Sequence, residues 1–273
     1  MHSFNNKVAV VTGGGSGIGR ALALALAEQG CHLALADINS DNLKESQQLV
    51  GHLGGNCSVH CVDVGDAEAM AAFAEEVVAF HGQVNLLINN AGITLQKTFS
   101  NHSLQDWQRI LGVNVWGVIL GCKYFLPHLL KADEAHIVNL SSMAGFMGLP
   151  NQSSYCATKS AVQGLSESLW AELTGHGIGV TSVHPGAIRT NIIQSTLSES
   201  DNPEVAKKNM EMVARMGMPA EKAAQIILRA VKKKQLRVRV GKDAVVLDWL
   251  KRMMPTLIHF PIGKIVAKRQ QTA

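Results

Sequence analysis

Three side chains near the middle of the chain could do acid/base chemistry together. Ser142 follows the apolar run Ile137-Val138-Asn139-Leu140, and Tyr155 and Lys159 stand four residues apart at the start of a helical pattern. Four residues is about one helical turn, so the phenol and the ammonium leave the same face. The apolar run reads as a strand buried on both faces, and its end is where ligands bind in open parallel sheets. A hydroxyl, a phenol and a cation converging there could hold an oxygen atom and move a proton.

The elements that must position these groups begin at the N-terminus. Lys7-Val8-Ala9-Val10-Val11-Thr12 is a short β-branched strand, and Gly13-Gly14-Gly15-Ser16-Gly17-Ile18-Gly19 follows at once. A helical pattern over 20–29 ends at Gly30, and the strand His32-Leu33-Ala34-Leu35-Ala36 delivers Asp37. Strand, glycine turn, helix, strand and acid make a complete βαβ dinucleotide unit. The turn fits G-x-G-x-x-G in no register; it reads T-G-x-x-x-G-x-G through Thr12, Gly13, Gly17 and Gly19. The physics survives the altered spacing, because glycine reaches backbone conformations closed to other residues and a helix N-terminus offers unpaired N–H groups to a pyrophosphate. A carboxylate at Asp37 accepts from ribose hydroxyls and repels a 2′-phosphate, so NAD is expected in preference to NADP. Ser16 and Ile38 nearby are not basic, and Arg20 faces the other end of the turn.

The alternation continues, with helical patterns over 43–53, 67–81, 104–130 and 220–234. Strands are expected over 57–62, 86–88, 180–183 and 236–240. Repeated βα units of this length predict an α/β fold with a doubly wound, Rossmann-type parallel sheet in a single domain over 1–242. A long mixed stretch at about 191–217 reads as a lid over a substrate, and 243–273 as an apolar and basic C-terminal extension.

Composition narrows the class. With 273 residues, 47% hydrophobic and 17% charged, the chain is that of a soluble globular protein. No basic leader precedes an apolar core at the start, and no uninterrupted apolar run reaches the ~18 residues of a spanning helix. Cys31, Cys57, Cys61, Cys122 and Cys156 are odd in number and lack zinc spacing, which points to free thiols in a reducing, cytoplasmic setting and to no metal. Charge is uneven: residues 1–200 hold 9 Lys+Arg against 15 Asp+Glu, and 201–273 hold 16 against 6. No aromatic platform accompanies the basic part, so nucleic acid is not an expected partner.

Thr12-Gly13-x-x-x-Gly17-x-Gly19, Asp63-Val64, Asn89-Asn90-Ala91-Gly92, Asn114, Ser142, Tyr155-x-x-x-Lys159 and Pro185-Gly186 together resemble the ordered motif set of the short-chain dehydrogenase/reductase family. The resemblance covers about residues 7–190. It implies that the turn of Gly13, Ser16, Gly17, Ile18 and Gly19 holds the pyrophosphate and Asp37 the adenosine ribose. Asp63 and Val64 would flank the adenine, Asn90, Ala91 and Gly92 would line the cofactor cleft, and Ile188 and Thr190 after Pro185-Gly186 would meet the nicotinamide carboxamide. Tyr155 would exchange a proton with the substrate oxygen, Ser142 would hydrogen-bond that oxygen, Lys159 would also grip the ribose, and Asn114 would help to position Lys159 through water. The family's serine lies thirteen residues before its tyrosine, which selects Ser142 over Ser141.

A free tyrosine, with a pKa of about 10, is a poor base at neutral pH. Lowering it by ~3 units takes ~4 kcal/mol, which Lys159 one turn away and a positive nicotinamide could supply. Met143 and Met147 beside Ser142, with Met210, Met212, Met216 and Met218 in the lid stretch, suggest a bulky apolar alcohol or carbonyl, steroid-, retinoid- or long-chain-like. The alternative within enzymes is an NADPH-preferring carbonyl or 3-oxoacyl reductase; from other classes, a nucleotide-sensing binding protein or a membrane-peripheral protein. The family implies a homodimer or homotetramer. For 243–273 three readings compete: a subunit contact, a substrate cover, or an interfacial membrane anchor.

Overall fold

The computed structural model describes residues 1–190, 192, 197, 199–261 and 263. Seven parallel strands form one sheet in the order β3-β2-β1-β4-β5-β6-β7. They are β1 (Val8–Thr12), β2 (His32–Asp37), β3 (Cys57–Cys61), β4 (Leu86–Asn89), β5 (His136–Leu140), β6 (Gly179–Pro185) and β7 (Arg237–Val240). The order runs outward in both directions from β1 and β4, whose pairing places Ala9 opposite Leu86 and Val11 opposite Ile88. That reversal opens a crevice at the C-terminal strand ends.

Helices cover both faces, and the strand residues divide between two cores by alternation. Ala9 and Val11 pack with α1 (Gly17–Ala27), α2 (Ser40–His52) and α8 (Ala220–Lys232). Val10 packs on the other face with α3 (Ala67–His81), α5 (Gly117–Leu129) and α6 (Ser153–Leu173). This explains why the strands read as continuous apolar runs rather than alternating ones: both faces are covered.

Local chemistry sets the helix ends. Asp66 caps α3 by accepting from the N–H groups of Glu68 and Ala69, and Gly82 closes it in the left-handed conformation. Ser103 and Asp106 form a reciprocal capping box at the start of α4 (Leu104–Leu111). Between α4 and α5 the helix widens into a π-turn, Gly112–Trp116. The continuous helix Leu104–Leu129 is long and apolar enough to cross a membrane by composition. Here it is a core helix, with Val118, Phe125 and Leu129 buried against α3 and the sheet.

Of the lid stretch, residues 191, 193–196 and 198 lie outside the described residues, as do 262 and 264–273 of the C-terminal stretch. The described residues of 191–217, namely 192, 197 and 199–217, include α7 (Pro203–Met216). Its entry is tied to the loop after β4: the Thr98 N–H and hydroxyl both donate to the Asp201 carboxylate, and the Asp201 N–H donates to the Gln96 carbonyl. After β7 the chain turns into α9 (Lys242–Met253), which is fastened to the sheet rather than trailing from it. Its buried Asp248 accepts from Arg237 and Arg239 of β7 and from Arg252 one turn on.

Candidate active site

The strand ends bring together most of the residues that the sequence singles out. Gly13 and Gly17 adopt positive φ, +64° and +52°. A Cβ on Gly19 would stand 2.0 Å from the Gly13 carbonyl oxygen, and one on Gly13 2.8 Å from Asn90 Nδ2, so neither position admits a side chain. Ser16 is the N-cap of α1, but its side chain makes no cap bond and the first turn holds no acid. The first N–H groups of α1 therefore lack the usual side-chain acceptor, which suits an anion. Beyond the turn, the Asp37 carboxylate accepts from the N–H groups of Gly15 and Asn39 and is held at the end of β2. This cradle and acid fit a dinucleotide.

Asn90 stands under the turn. Its Nδ2 donates to the carbonyls of Thr12 and Gly13, while the N–H groups of Asn90 and Ala91 both donate to the Thr12 hydroxyl. A Cβ added at the next residue, Gly92, would lie 3.3 Å from both Asn114 Oδ1 and Lys159 Nζ. Three consecutive residues after β4 thus join the glycine turn to the acid/base cluster. Asp63 accepts from the N–H of Gly65, and buried Val64 packs against Gly117 of α5.

Asn114 is fully buried inside the π-turn. It accepts from the Ile93 N–H at 2.8 Å and donates through Nδ2 to the Ile93 carbonyl at 2.9 Å and the Thr158 hydroxyl at 3.1 Å. Thr158 in turn donates to the Tyr155 carbonyl. The sequence did not single out Thr158, although it lies one residue before Lys159. Through it Asn114 reaches α6 by a direct bond.

Lys159 Nζ is buried, donates to the Leu140 carbonyl at 2.9 Å and lies 5.7 Å from the Tyr155 ring centre. Burial pulls its pKa down to about 8. Burial also raises the Tyr155 phenol, outweighing the neighbouring Ser142 hydroxyl, which pulls the other way; Cys156 raises it further. The sequence expectation of a depressed phenol counts on Lys159 and a positive nicotinamide together; in the chain alone desolvation is the larger effect.

Ser142 caps a single 3₁₀ turn, Met143–Gly145, by accepting from the Ala144 N–H. His184 fixes its backbone. Nδ1 of His184 lies 3.1 Å from the Ser142 carbonyl, and Nε2 lies 3.0 Å from the Ser182 hydroxyl. A carbonyl only accepts, so Nδ1 carries the proton; burial first, then the Arg237 charge, lower the pKa to about 4 and keep the ring neutral. Ser141 points elsewhere, donating to the Lys159 carbonyl at 2.7 Å.

Pro185 and Gly186 end β6, and the loop after them crosses back over the turn: a Cβ on Gly17 would stand 3.1 Å from Thr190 Cγ2. Ile188 is buried and bridges Met218. Of the methionines, Met147 is buried and Met143 and Met210 are half-buried, but Met212 and Met216 are 53% and 78% exposed. The last two face solvent because only Ala206, Asn209, Met210 and Val213 of α7 turn inward.

A parallel sheet whose strand ends carry a glycine cradle at α1 and, across the crevice, Ser142, Tyr155 and Lys159 is the arrangement of a Rossmann-type oxidoreductase. Comparison with known proteins agrees. Residues 7–201 match the family model described as short chain dehydrogenase. The chain is 40% identical over 271 residues to SadH of Mycobacterium tuberculosis, an oxidoreductase by name, covering 98% of each. It is 36% identical over 227 residues to the cyclohexanol dehydrogenase of an Acinetobacter species, covering 83% of this chain and 88% of that one. In structure it resembles a short-chain dehydrogenase/reductase from Burkholderia phymatum in complex with NAD, with a TM-score of 0.86, 29% identity, and 93% and 95% of the two chains covered. The chain belongs to the short-chain dehydrogenase/reductase family and is an NAD(P)-dependent oxidoreductase.

Proposed function

We propose that this enzyme interconverts an alcohol and its carbonyl, using NAD and accepting a bulky apolar substrate. The observation that carries the reading is the convergence of Ser142, Tyr155 and Lys159 at the end of β5, joined to the glycine cradle by Asn90, Ala91 and Gly92. Bound in the cradle, NAD supplies the hydride acceptor or donor. Everything else is done by this chain. The Ser142 hydroxyl holds the substrate oxygen, and Tyr155 Oη gives it a proton in carbonyl reduction or takes one in alcohol oxidation. Burial favours the neutral phenol, which is the form that donates. Lys159, fixed by the Leu140 carbonyl, places a cation beside the phenol and favours its ionised form when oxidation runs.

NAD rather than NADP is supported by two features. Asp37 presents a carboxylate at the ribose end and is followed by Ile38, which is exposed and apolar. Contrary to the sequence reading, Arg20 reaches the Asp37 end of the turn, but it is engaged there with Glu45, Ser46 and the carbonyls of Gly15 and Asn42. The apolar substrate class rests on Met143, Met147 and Met210 and accords with the cyclic alcohol named for the Acinetobacter relative.

A panel of steroid, retinoid, long-chain and small alcohols, read by reduced-nicotinamide absorbance, tests the reading, with Tyr155→Phe as control. Turnover confined to bulky lipophilic alcohols and lost in Tyr155→Phe is expected. Normal turnover by Tyr155→Phe would refute the proton-transfer role, and turnover of small polar alcohols alone would refute the substrate class. Fluorescence titration with NADH and NADPH separates the two cofactors.

A further inference from the structure

We propose that Asp243, at the start of α9, is a positioning residue for the nicotinamide end of the cofactor. It acts by holding the backbone of the loop that follows Pro185-Gly186. The inference rests on the cofactor reading above and adds to it a residue from the stretch that the sequence marks as an extension.

Asp243 Oδ2 accepts from the Ala187 N–H at 2.7 Å. The slot around this carboxylate is built of the glycines that directly follow two strands, β6 and β7. A Cβ on Gly186 would stand 2.2 Å from each carboxylate oxygen, and one on Gly241 2.3 Å from Oδ1. Gly241 also has a φ of +111°, which disfavours any other residue there. The Gly186 N–H donates to the Val240 carbonyl, so the ends of β6 and β7 close directly over Asp243.

From Ala187 the chain is held on both sides. Its N–H goes to Asp243, its carbonyl accepts from the Met218 N–H, and the Arg189 N–H donates to the Met218 carbonyl. This is the parallel bridge of Ile188 with Met218. In such a bridge the residue's own N–H and C=O point away from the partner. The peptide groups of Ile188, a residue that the family resemblance places at the carboxamide, are therefore aimed by the two residues that clamp Ala187. Asp243 is itself immobilised, because α9 is fastened to β7 by the buried Asp248 with Arg237 and Arg239.

The test compares two ligands on the full chain: NADH, and ADP-ribose, which shares the adenosine and pyrophosphate but lacks the nicotinamide. Asp243→Ala is expected to weaken NADH about tenfold, the order of a lost charge-assisted hydrogen bond. ADP-ribose should change less than about twofold. The KM for NAD should rise with little change in the KM for the alcohol, and Asp243→Asn, which keeps an acceptor oxygen, should restore most of the NADH affinity. If Asp243→Ala melts below the assay temperature, Asp243→Ser, whose hydroxyl is too short to reach Ala187, is read in its place. Equal losses for NADH and ADP-ribose, or none for either, would overturn the positioning role while leaving the cofactor reading intact. Failure of the unmodified enzyme to bind NADH would overturn both.

Discussion

Removing the Asn114 side chain should separate what positions α6 from what merely fills the core. Asn114→Ala leaves the Ile93 N–H and C=O and the Thr158 hydroxyl without their present partner, all within a fully buried site. A buried donor left unpaired costs about 1–3 kcal/mol, and the carbonyl and hydroxyl, which keep other options, cost less. Thr158 still donates to the Tyr155 carbonyl. The sum is about 3–5 kcal/mol of stability. Thr158→Val removes the acceptor of the Asn114 bond together with the donor to the Tyr155 carbonyl and should cost about 1–3 kcal/mol. If the bond between them fixes the helix that carries Tyr155 and Lys159, the double variant should fall short of additivity by about 1 kcal/mol. Urea unfolding measures that coupling, and log kcat from NADH absorbance should show a coupling of the same sign. Additivity within about 0.3 kcal/mol in both readouts would refute the claim that Asn114 acts on α6 through Thr158.

Three further outcomes follow from single contacts. Gly19→Ala would drive a Cβ to 2.0 Å from the Gly13 carbonyl; NADH affinity by fluorescence should fall at least about tenfold, and an unchanged affinity would place the pyrophosphate elsewhere. Gly51→Ala, in α2 where an added Cβ meets nothing within 4 Å, should instead stabilise the chain by about 0.5–1 kcal/mol, as helix propensity predicts; a melt showing destabilisation would contradict it. His136 and His184 are held neutral by burial, with pKa values of about 3 and about 4. Unfolded imidazoles take protons near 6.5, so the unfolded chain binds more protons as pH falls from there to about 4. Stability is therefore full above pH ~6.5 and should drop by about 3 kcal/mol per histidine on reaching pH ~4. Denaturant melts across that range check the slope, and a flat profile would show that neither ring stays neutral.

Much of this enzyme was legible as sequence because its information is local. The strand, glycine turn, helix and acid of 8–37 are fixed by steric rules that act between neighbours. The four-residue spacing of Tyr155 and Lys159 is fixed by helix geometry. The parallel order followed from the repeated βα rhythm, and α3 fell where its Asp66 cap and Gly82 stop placed it. The lid methionines were less legible, since a mixed stretch does not say which face turns inward, and Met212 and Met216 turned out.

What only the tertiary structure decided lies in contacts between distant segments. That Asn114 meets Thr158, that His184 holds the Ser142 backbone and that Asp243 clamps Ala187 depend on strand order and on which helix end meets which loop. The state of Tyr155 belongs here too. Sequence placed a cation one turn from the phenol and, with a positive nicotinamide beside it, suggested a lowered pKa; burial, a property of the whole fold, pushes the phenol of the chain alone the other way. Spacing along the chain specifies which groups share a face; the dielectric around them, and the partners that aim them, arise only when the sheet closes.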